Sequence, residues 1–168
     1  FLLERHLRRL ADSLAAIGLE GLTTEPGAVV DGLLADTDDD CAVYLQITRG
    51  VAPKRDHRFP QATEPCVFGY RMPVAAPSGM GLDTEGVAVI LREDLRWQRC
   101  DIKSTSLLGN VLLRQAATAA GASETLLYRD GCVTEASASN LFAVIDGVVV
   151  TPPLGSGLLA GVTRGLVL

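Results

Sequence analysis

The sequence predicts an α+β protein with two domains, a small mixed α/β domain followed by a β-rich domain, and three observations support this prediction. Near the N-terminus, apolar residues recur every three or four positions, which is typical of an amphipathic helix. After residue 41 the apolar period changes to two, which indicates strands. Two Asp-Gly pairs, at 130–131 and 146–147, mark hairpins because Asp-Gly supplies the positive φ angles that two-residue turns require.

The first half of the chain is expected to form the small domain, residues 1–76. Its leading helix follows from a single apolar stripe that ends at Gly18, since glycine commonly terminates helices. The strands that come later in this half alternate apolar and polar residues. The predicted elements are, in order, a helix over 3–17, a helix from about Pro26 to Leu34, and strands over 42–48 and 66–70.

The second half, residues 77–168, is expected to be the first part of a larger, β-rich domain. The segment from Pro73 to Gly81 is rich in proline, glycine and small residues, which favours a linker there. The two Asp-Gly hairpins predict a three-strand meander that carries Glu135. The other predicted elements are a strand over 87–91, a helix that Ser104 caps and that runs to about Ala120 before Gly121, and strands near 125–128 and 148–150.

Composition narrows the class of protein before any motif is considered. A net charge of −5 argues against a general nucleic-acid-binding protein, since phosphate binding uses a basic surface. The four cysteines show no Cys-x-x-Cys spacing and only two histidines occur, so we expect neither a metal site nor a disulfide framework. No apolar run approaches the roughly 20 residues of a membrane span, and a cytoplasmic location is the expectation.

Lys103 is one of two lysines in the chain and lies where a strand-like run gives way to a predicted helix. In that position it can be an ordinary surface lysine at a helix start, since lysine is rarely buried without a partner. It can also be a nucleophilic amine, which requires that burial or a nearby cation such as Arg99 lower its pKa. The choice between these readings depends on what else the chain offers.

Glu135 lies 32 residues after Lys103, at the mouth of another predicted strand. Taken alone, it can be a carboxylate at the end of a hairpin that accepts hydrogen bonds from local backbone amides. Beside a reactive lysine it has a further use. Lysine can bond to the aldehyde of pyridoxal phosphate, and a carboxylate can keep the pyridine nitrogen of that cofactor protonated. The pair therefore predicts a pyridoxal-phosphate enzyme.

Two further segments carry groups that bind anions. The run from Gly157 to Arg164 ends a loop and opens a helix, and it is either a phosphate site or an ordinary glycine-led helix start. Arg49, Arg55 and His57 lie in one predicted loop that follows the strand containing Tyr44. Arginine binds carboxylates through two parallel hydrogen bonds, so this loop is either a carboxylate site or a solvated basic surface.

Four strings in this order resemble the fold-type IV pyridoxal-phosphate enzymes, which include the class IV aminotransferases, and most of all the D-amino acid aminotransferases among them. The strings run from Tyr44 to Gly50, from Cys100 to Ser104, from Val133 to Phe142 and from Gly161 to Arg164. They are spread over the whole chain. The fold implied has a small α/β domain and a β-rich large domain, and because the family has further segments on both sides, this chain is expected to be truncated at both ends.

The resemblance also implies roles for individual residues. Lys103 would carry pyridoxal phosphate, and Glu135 would pair with its pyridine nitrogen. Four other residues would contact the cofactor: Arg9, within the string His6 to Leu10, together with Val162 and Thr163 at the phosphate, and Leu159 at the ring. On the substrate side, Tyr44 would line the site, while Arg55 and His57 would bind the α-carboxylate.

The implied activity is transamination between D-amino acids, such as D-alanine, and 2-oxo acids, such as 2-oxoglutarate. In the family, the Arg-x-His pair reaches the active site of the neighbouring subunit, so the implied assembly is a homodimer with shared sites. Three alternatives stay open at this point: an aminodeoxychorismate lyase or a branched-chain L-aminotransferase of the same fold, and a non-catalytic protein that retains the fold. The Arg55 and His57 pair favours the D-specific enzyme over the first two.

Overall fold

The computed structural model describes residues 1–74 and 86–168, and it separates the chain into two compact units. One comprises residues 14–84 and contains a long β-hairpin; we call it the hairpin unit. The other combines residues 1–13 with residues 85–168 and contains an open cavity; we call it the cavity unit. Among the described residues, the hairpin unit contains one sheet and the cavity unit contains two.

The grouping of the first 13 residues differs from the division expected from the sequence, which placed them in the small domain. They belong with the later part of the chain because, among other contacts, the Arg9 guanidinium donates a hydrogen bond to the main-chain carbonyl of Ala160 at 3.1 Å. The predicted boundary at 76/77 and most of the predicted linker from Pro73 to Gly81 lie outside the described residues.

Helix α1 (Leu3–Ala16) opens the chain, and its apolar stripe predicted it correctly. Gly18, expected to stop it, has a φ of 59°, a left-handed conformation that glycine adopts without strain. Among the described residues, no helix combines the length and the apolar character that crossing a membrane would require.

The hairpin unit consists of helix α2 (Pro26–Leu34) and an antiparallel pair of strands, β1 (Cys41–Thr48) and β2 (Cys66–Pro73). All three elements confirm the prediction, although β2 is longer than expected. α2 packs against the hairpin, with Leu33 close to Gly69, where the lack of a side chain admits the helix. The hairpin unit therefore has two layers, one formed by helix α2 and the other by the β1–β2 hairpin.

The cavity unit is built around a three-stranded sheet with the order β3, β4, β5. β3 and β4 are parallel and are joined through α3, whereas β4 and β5 form an antiparallel hairpin. A second, separate hairpin and a short helix complete the unit. The elements are β3 (Val89–Glu93), α3 (Leu108–Ala119), β4 (Glu124–Arg129), β5 (Cys132–Ala136), β6 (Ala143–Ile145), β7 (Val148–Val150) and α4 (Arg164–Val167).

The core of the cavity unit lies where α3 packs on β4. Leu127 and Thr125 of β4 are fully buried, and Leu113 and Ala117 of α3 lie against the sheet. The buried Thr125 hydroxyl donates to the main-chain carbonyl of Leu113 at 2.7 Å, so no hydroxyl is left unpaired at this position. This packing holds β4 in place, and β4 in turn pairs with β5, the strand that carries Glu135.

Two details of the predicted second half are wrong. The expected three-strand meander is instead two hairpins in different sheets, because β5 pairs with β4 and β6 pairs with β7. The helix also begins at Leu108, with Leu107 at its N-cap, and Ser104 does not cap it: the Ser104 hydroxyl accepts a hydrogen bond from the Ser106 N–H. A serine two residues before a backbone amide forms a local turn as readily as a cap.

The Asp-Gly turns themselves confirm the prediction. Asp130 and Gly131 have φ angles of 51° and 76°, and Asp146 and Gly147 have φ angles of 50° and 78°. Positive φ at both central residues is the geometry of the type I′ hairpin turn.

A β-bulge lies beside the first of these turns. Leu126 pairs with Ala136 and Tyr128 pairs with Val133, so β5 has one residue more than β4 between the two pairs. A bulge interrupts the alternation of side chains between the two faces of a strand. This accounts for the burial of two consecutive residues at the end of β5, Glu135 and Ala136.

Candidate active site

An open cavity of about 970 Å³ lies within the cavity unit. It brings together the six residues that the sequence assigned to cofactor binding. These residues are Arg9, Lys103, Glu135, Leu159, Val162 and Thr163. They come from α1, from the segment between β3 and α3, from the end of β5 and from the loop that leads into α4.

Lys103 is held at its backbone and keeps its amine open to the cavity. Its N–H donates to the hydroxyl of Ser13 on α1 at 3.0 Å, and the preceding residue, Ile102, is buried. Burial lowers the pKa of the Lys103 ammonium, the positive charge of Arg9 lowers it further, and Glu135 opposes both effects. A larger fraction of this amine is therefore neutral than in an ordinary lysine, and the neutral form is the nucleophile.

The cation that acts on Lys103 is not the one expected from the sequence. Arg99, the nearest arginine in the chain, forms an exposed ion pair with Asp101 at 2.9 Å. Arg9 instead supplies the positive charge, although it is 94 residues away in sequence. The packing of α1 against the loop after β3 brings the two side chains to the same cavity.

Glu135 is buried, with 6% of its side chain exposed, and three donors hold its carboxylate. Arg96 Nη1 lies 2.6 Å from Oε1. Asn140 Nδ2, at 2.9 Å, and the Leu159 N–H, at 3.2 Å, both donate to Oε2. These contacts fix the plane of the carboxylate and leave it as an acceptor at the wall of the cavity.

The charge state of Glu135 reflects two opposed effects. Burial raises the pKa of its carboxyl group above the ordinary value, whereas hydrogen bonding and charge from Arg96, with the Leu159 N–H, oppose the rise. Asp94 adds to the rise because it is a second negative charge nearby. Arg96 is therefore the main positive charge that opposes the effect of burial on the pKa of Glu135.

Arg96 is shared between two buried carboxylates. Its Nε and Nη2 atoms donate to Asp94 Oδ1 and Oδ2, each at 2.9 Å, while Nη1 donates to Glu135. The exposed fractions of the Arg96 and Asp94 side chains are 6% and 0%. The two carboxylates raise the pKa of the guanidinium against the opposing effect of burial.

Asp94 is fixed by further donors. Arg129 Nη2 lies 3.2 Å from Oδ2, and the Thr134 hydroxyl donates to the same oxygen at 3.2 Å. Burial alone would raise the pKa of the Asp94 carboxyl group, but its bonds to Arg96 and the charges around it hold the pKa below the ordinary value. Asp94 is thus an ionised, buried anchor for Arg96.

Asn140 links Glu135 to the loop that leads into α4. Its Nδ2 group donates to Glu135 and to the main-chain carbonyl of Leu159, both at 2.9 Å. Its side-chain oxygen lies against Gly161, where an added Cβ would overlap that oxygen. Glycine is required here by close approach.

Arg9, Val162 and Thr163 also line the cavity. Val162 is buried, and Thr163 is the N-cap of the four-residue helix α4. Burial lowers the pKa of the Arg9 guanidinium, which nevertheless stays charged because arginine does not deprotonate in proteins. A fixed positive charge therefore lies at the cavity wall.

The three predicted substrate residues, Tyr44, Arg55 and His57, belong to the hairpin unit. The Tyr44 hydroxyl donates to the Gln46 side chain at 2.8 Å, and Arg55 and His57 are exposed in the loop between β1 and β2. Their assignment to the substrate carboxylate stays a prediction. Arg49, grouped with them in the sequence, instead donates to the carbonyls at the end of α1 and stacks on the ring of Phe59.

Sequence reasoning missed three residues of this site: Asp94, Arg96 and Asn140. The alternation Asp94-Leu95-Arg96 directly after a strand was a usable signal, because an Asp two residues before an Arg can bind it in a tight turn. The contact between Arg96 and Glu135 gave no local signal, since 39 residues separate them.

The whole chain, residues 1–168, matches the protein family described as Amino-transferase class IV. The D-alanine aminotransferase of Bacillus licheniformis is 39% identical over 173 residues, which cover 100% of this chain and 59% of that relative. The chain thus spans little more than half the length of this relative.

Two solved structures show the same fold. The branched-chain amino acid aminotransferase from Thermobaculum terrenum in its PLP form has a TM-score of 0.80 at 23% identity, over 99% of this chain and 56% of that one. A putative 4-amino-4-deoxychorismate lyase from Legionella pneumophila has a TM-score of 0.78 at 19% identity, over 98% and 61%. At these identities the likeness concerns the fold alone. With the family match over its entire length, the chain belongs to the class IV aminotransferase family and has the fold-type IV architecture.

Proposed function

We propose that the intact protein is a pyridoxal-phosphate-dependent aminotransferase that exchanges amino groups between D-amino acids, such as D-alanine, and 2-oxo acids, such as 2-oxoglutarate. One observation carries the proposal: an amine with a lowered pKa, Lys103, and a buried acceptor carboxylate, Glu135, line the same cavity. Membership of the class IV family and the similarity to a D-alanine aminotransferase support it.

The side chains at the cavity suit this cofactor at each of its reactive parts. Arg9 offers positive charge to a phosphate, and Val162 and Thr163 line the same cavity. Leu159 offers an apolar surface to a ring, and the Glu135 carboxylate can accept a hydrogen bond from a ring nitrogen. When bound, pyridoxal phosphate supplies an aldehyde that reacts with amines and a ring that withdraws electrons from them.

Lys103 has two tasks in this proposal. As a neutral amine, Lys103 would hold the cofactor through the cofactor's aldehyde until an incoming amino acid took its place. Once free, the same amine would act at the cavity as a general base that takes up the α-hydrogen of the substrate as a proton and later gives that proton back. Its lowered pKa serves both tasks because each needs the unprotonated form.

The preference for D-amino acids rests on residues of the hairpin unit. We propose that Arg55 and His57 bind the α-carboxylate, beside Tyr44, and that they act in the site of a second subunit of a cytoplasmic homodimer, as the family resemblance implies. A branched-chain L-aminotransferase and an aminodeoxychorismate lyase are the alternatives, and each has a relative of the same fold.

Borohydride reduction of the intact holoprotein, followed by peptide mapping, tests the central assignment. We expect the pyridoxyl group on Lys103, loss of labelling in the Lys103→Arg variant, and unchanged labelling in the matched control Lys54→Arg, because Lys54 lies in an exposed loop of the other unit. Labelling of any other lysine would contradict the assignment. Product analysis with D-alanine, L-leucine and aminodeoxychorismate then separates the three activities.

A further inference from the structure

We propose that Arg96 is a positioning residue: it keeps Glu135 ionised and aimed into the cavity, so that a ring nitrogen bound there must carry its own proton. Asp94 holds Arg96 in place for this task. The identity of the ring rests on the proposed function, whereas the effect of Arg96 on Glu135 does not.

Three donors contact the Glu135 carboxylate. A carboxylate has about four acceptor positions, two on each oxygen. Oε2 of Glu135 accepts from Asn140 and from the Leu159 N–H, and Oε1 accepts from Arg96. Within the described parts of the chain, one position on Oε1 is left for a ligand. The ionised group can only accept there, whereas a protonated group would carry its proton at this position and donate, so the charge of Glu135 decides which of the two occurs.

Burial and Arg96 act in opposite directions on the charge of Glu135. The charged groups that act on Glu135 are Arg96 and Asp94, and the Lys103 ammonium at the same cavity also interacts with it. Burial and Asp94 favour the protonated carboxyl group, and Arg96, at 2.6 Å, is the closest group that favours the carboxylate. Removing Arg96 would leave burial largely unopposed.

The Arg96 guanidinium is held in place by Asp94 and by the Gly157 carbonyl. Asp94 binds both Nε and Nη2 of the guanidinium, and the Arg96 N–H also donates to Asp94 Oδ1 at 3.1 Å. Nη2 donates in addition to the Gly157 carbonyl at 3.3 Å. A guanidinium fixed on one edge by Asp94 presents Nη1 to Glu135 in a single orientation, which a flexible ammonium would not do.

The charge of Glu135 determines whether one shared proton resides on the carboxyl group or on the ring nitrogen. Ionised Glu135 can accept a hydrogen bond only from a protonated ring nitrogen, whereas protonated Glu135 would donate to an unprotonated one. One hydrogen bond joins the two groups in both cases, but only the protonated ring is a strong electron sink. Arg96 selects the first arrangement.

The test follows the Glu135 carboxyl group directly in the intact protein without cofactor. Isotope-edited infrared spectroscopy, with the Glu135 band assigned by its loss in Glu135→Gln, gives the fraction ionised against pH. In the wild-type protein we expect Glu135 to be ionised at pH 7. In Arg96→Gln its proton affinity should rise by about tenfold or more, which is one pKa unit. A protonated Glu135 in the wild type, or an unchanged titration in Arg96→Gln, overturns the proposal.

Two further variants complete the design. Arg99→Gln is the matched control, because Arg99 lies three residues away in an exposed ion pair, and we expect no change in the Glu135 titration. Should Arg96→Gln not fold, Arg96→Lys replaces it. An ammonium cannot bind Asp94 by two bonds and Glu135 at once, so the proton affinity of Glu135 should still rise, and a wild-type titration would overturn the role of the guanidinium.

A holoprotein measurement separates this inference from the proposed function. Absorbance of bound pyridoxal phosphate against pH should show loss of ring protonation at lower pH in Arg96→Gln than in the wild type. If the wild type binds no pyridoxal phosphate while the Glu135 titration shifts as expected, the proposed function fails and the role of Arg96 stands. If it binds cofactor at Lys103 and neither titration shifts, the role of Arg96 fails alone.

Discussion

The two units use arginine in opposite ways. In the cavity unit, Arg96 is almost fully buried and is bound to two carboxylates of the same chain. In the hairpin unit, Arg55 is exposed in a loop, and Arg58, three residues later, pairs at the surface with Asp56. Arg96 is therefore held in position before any ligand binds, whereas Arg55 is free to contact a ligand from solvent.

This contrast separates two requirements of an aminotransferase site. A group that sets the charge of a cofactor ring must not move or change its protonation between steps, so burial and saturated hydrogen bonding suit it. A group that binds and releases a substrate carboxylate in every cycle must exchange partners, so exposure suits it. Burial of charge also makes the first arrangement the more sensitive to mutation.

Removal of Asp94 is expected to have the largest effect. Asp94→Ala leaves the buried Arg96 without its two-bond partner, and breaking a buried pair on one side destabilises by about 3–5 kcal/mol. Urea unfolding of the intact protein, monitored by a spectroscopic probe in the cavity unit, measures the change in the free energy of unfolding. The matched control is Asp56→Ala, which breaks the exposed pair with Arg58 and should leave the free energy of unfolding unchanged. Equal losses in both variants would contradict the contrast between the units.

Arg55 is expected to affect binding and not stability. Loss of one charge-assisted contact to the substrate corresponds to about 1.5–3 kcal/mol, so Arg55→Ala should raise KM for D-alanine by roughly ten- to hundredfold and narrow the preference over L-alanine. Steady-state kinetics with both enantiomers measures this in the intact enzyme.

The control for Arg55 is Lys54→Ala, which removes the adjacent exposed positive charge. Arg49 is unsuitable as a control, because it binds the carbonyls of Ile17 and Gly18 and its loss would disturb the loop. If Arg55→Ala keeps both its affinity and its D-preference, the carboxylate site lies elsewhere.

Elements with a strong local pattern were predicted correctly from the sequence. The apolar stripe of α1 and the positive φ angles of the two Asp-Gly turns follow from residues next to one another in the chain. The sheet that each hairpin joins does not follow from neighbouring residues. The turn between β6 and β7 has as clear a sequence signal as the turn between β4 and β5, yet β6 and β7 form a separate sheet. Sheet membership depends on contacts between distant segments.

The site divides in the same way. Lys103 and Glu135 were recognised because each lies in a motif of consecutive residues. Arg96 was missed because its partner Glu135 is 39 residues away and is brought to it by the β-bulge in β5. Burial of a charge is a property of the folded unit, and no local pattern predicts which arginine will be buried.

The same reasoning yields the smallest effect, which concerns the cation beside Lys103. Proximity in sequence favoured Arg99, whereas the fold brings Arg9 to the cavity. Arg9 lowers the pKa of Lys103, so Arg9→Gln should raise that pKa towards its ordinary value, and the midpoint of Lys103 reactivity should move to higher pH. The shift is modest because burial, the larger cause, remains. The rate at which an amine-reactive reagent modifies Lys103, followed by peptide mapping of the intact apoprotein against pH, measures it. Arg99→Gln should leave the midpoint where it is, and a larger shift in that variant than in Arg9→Gln would mean that the exposed arginine controls the amine after all.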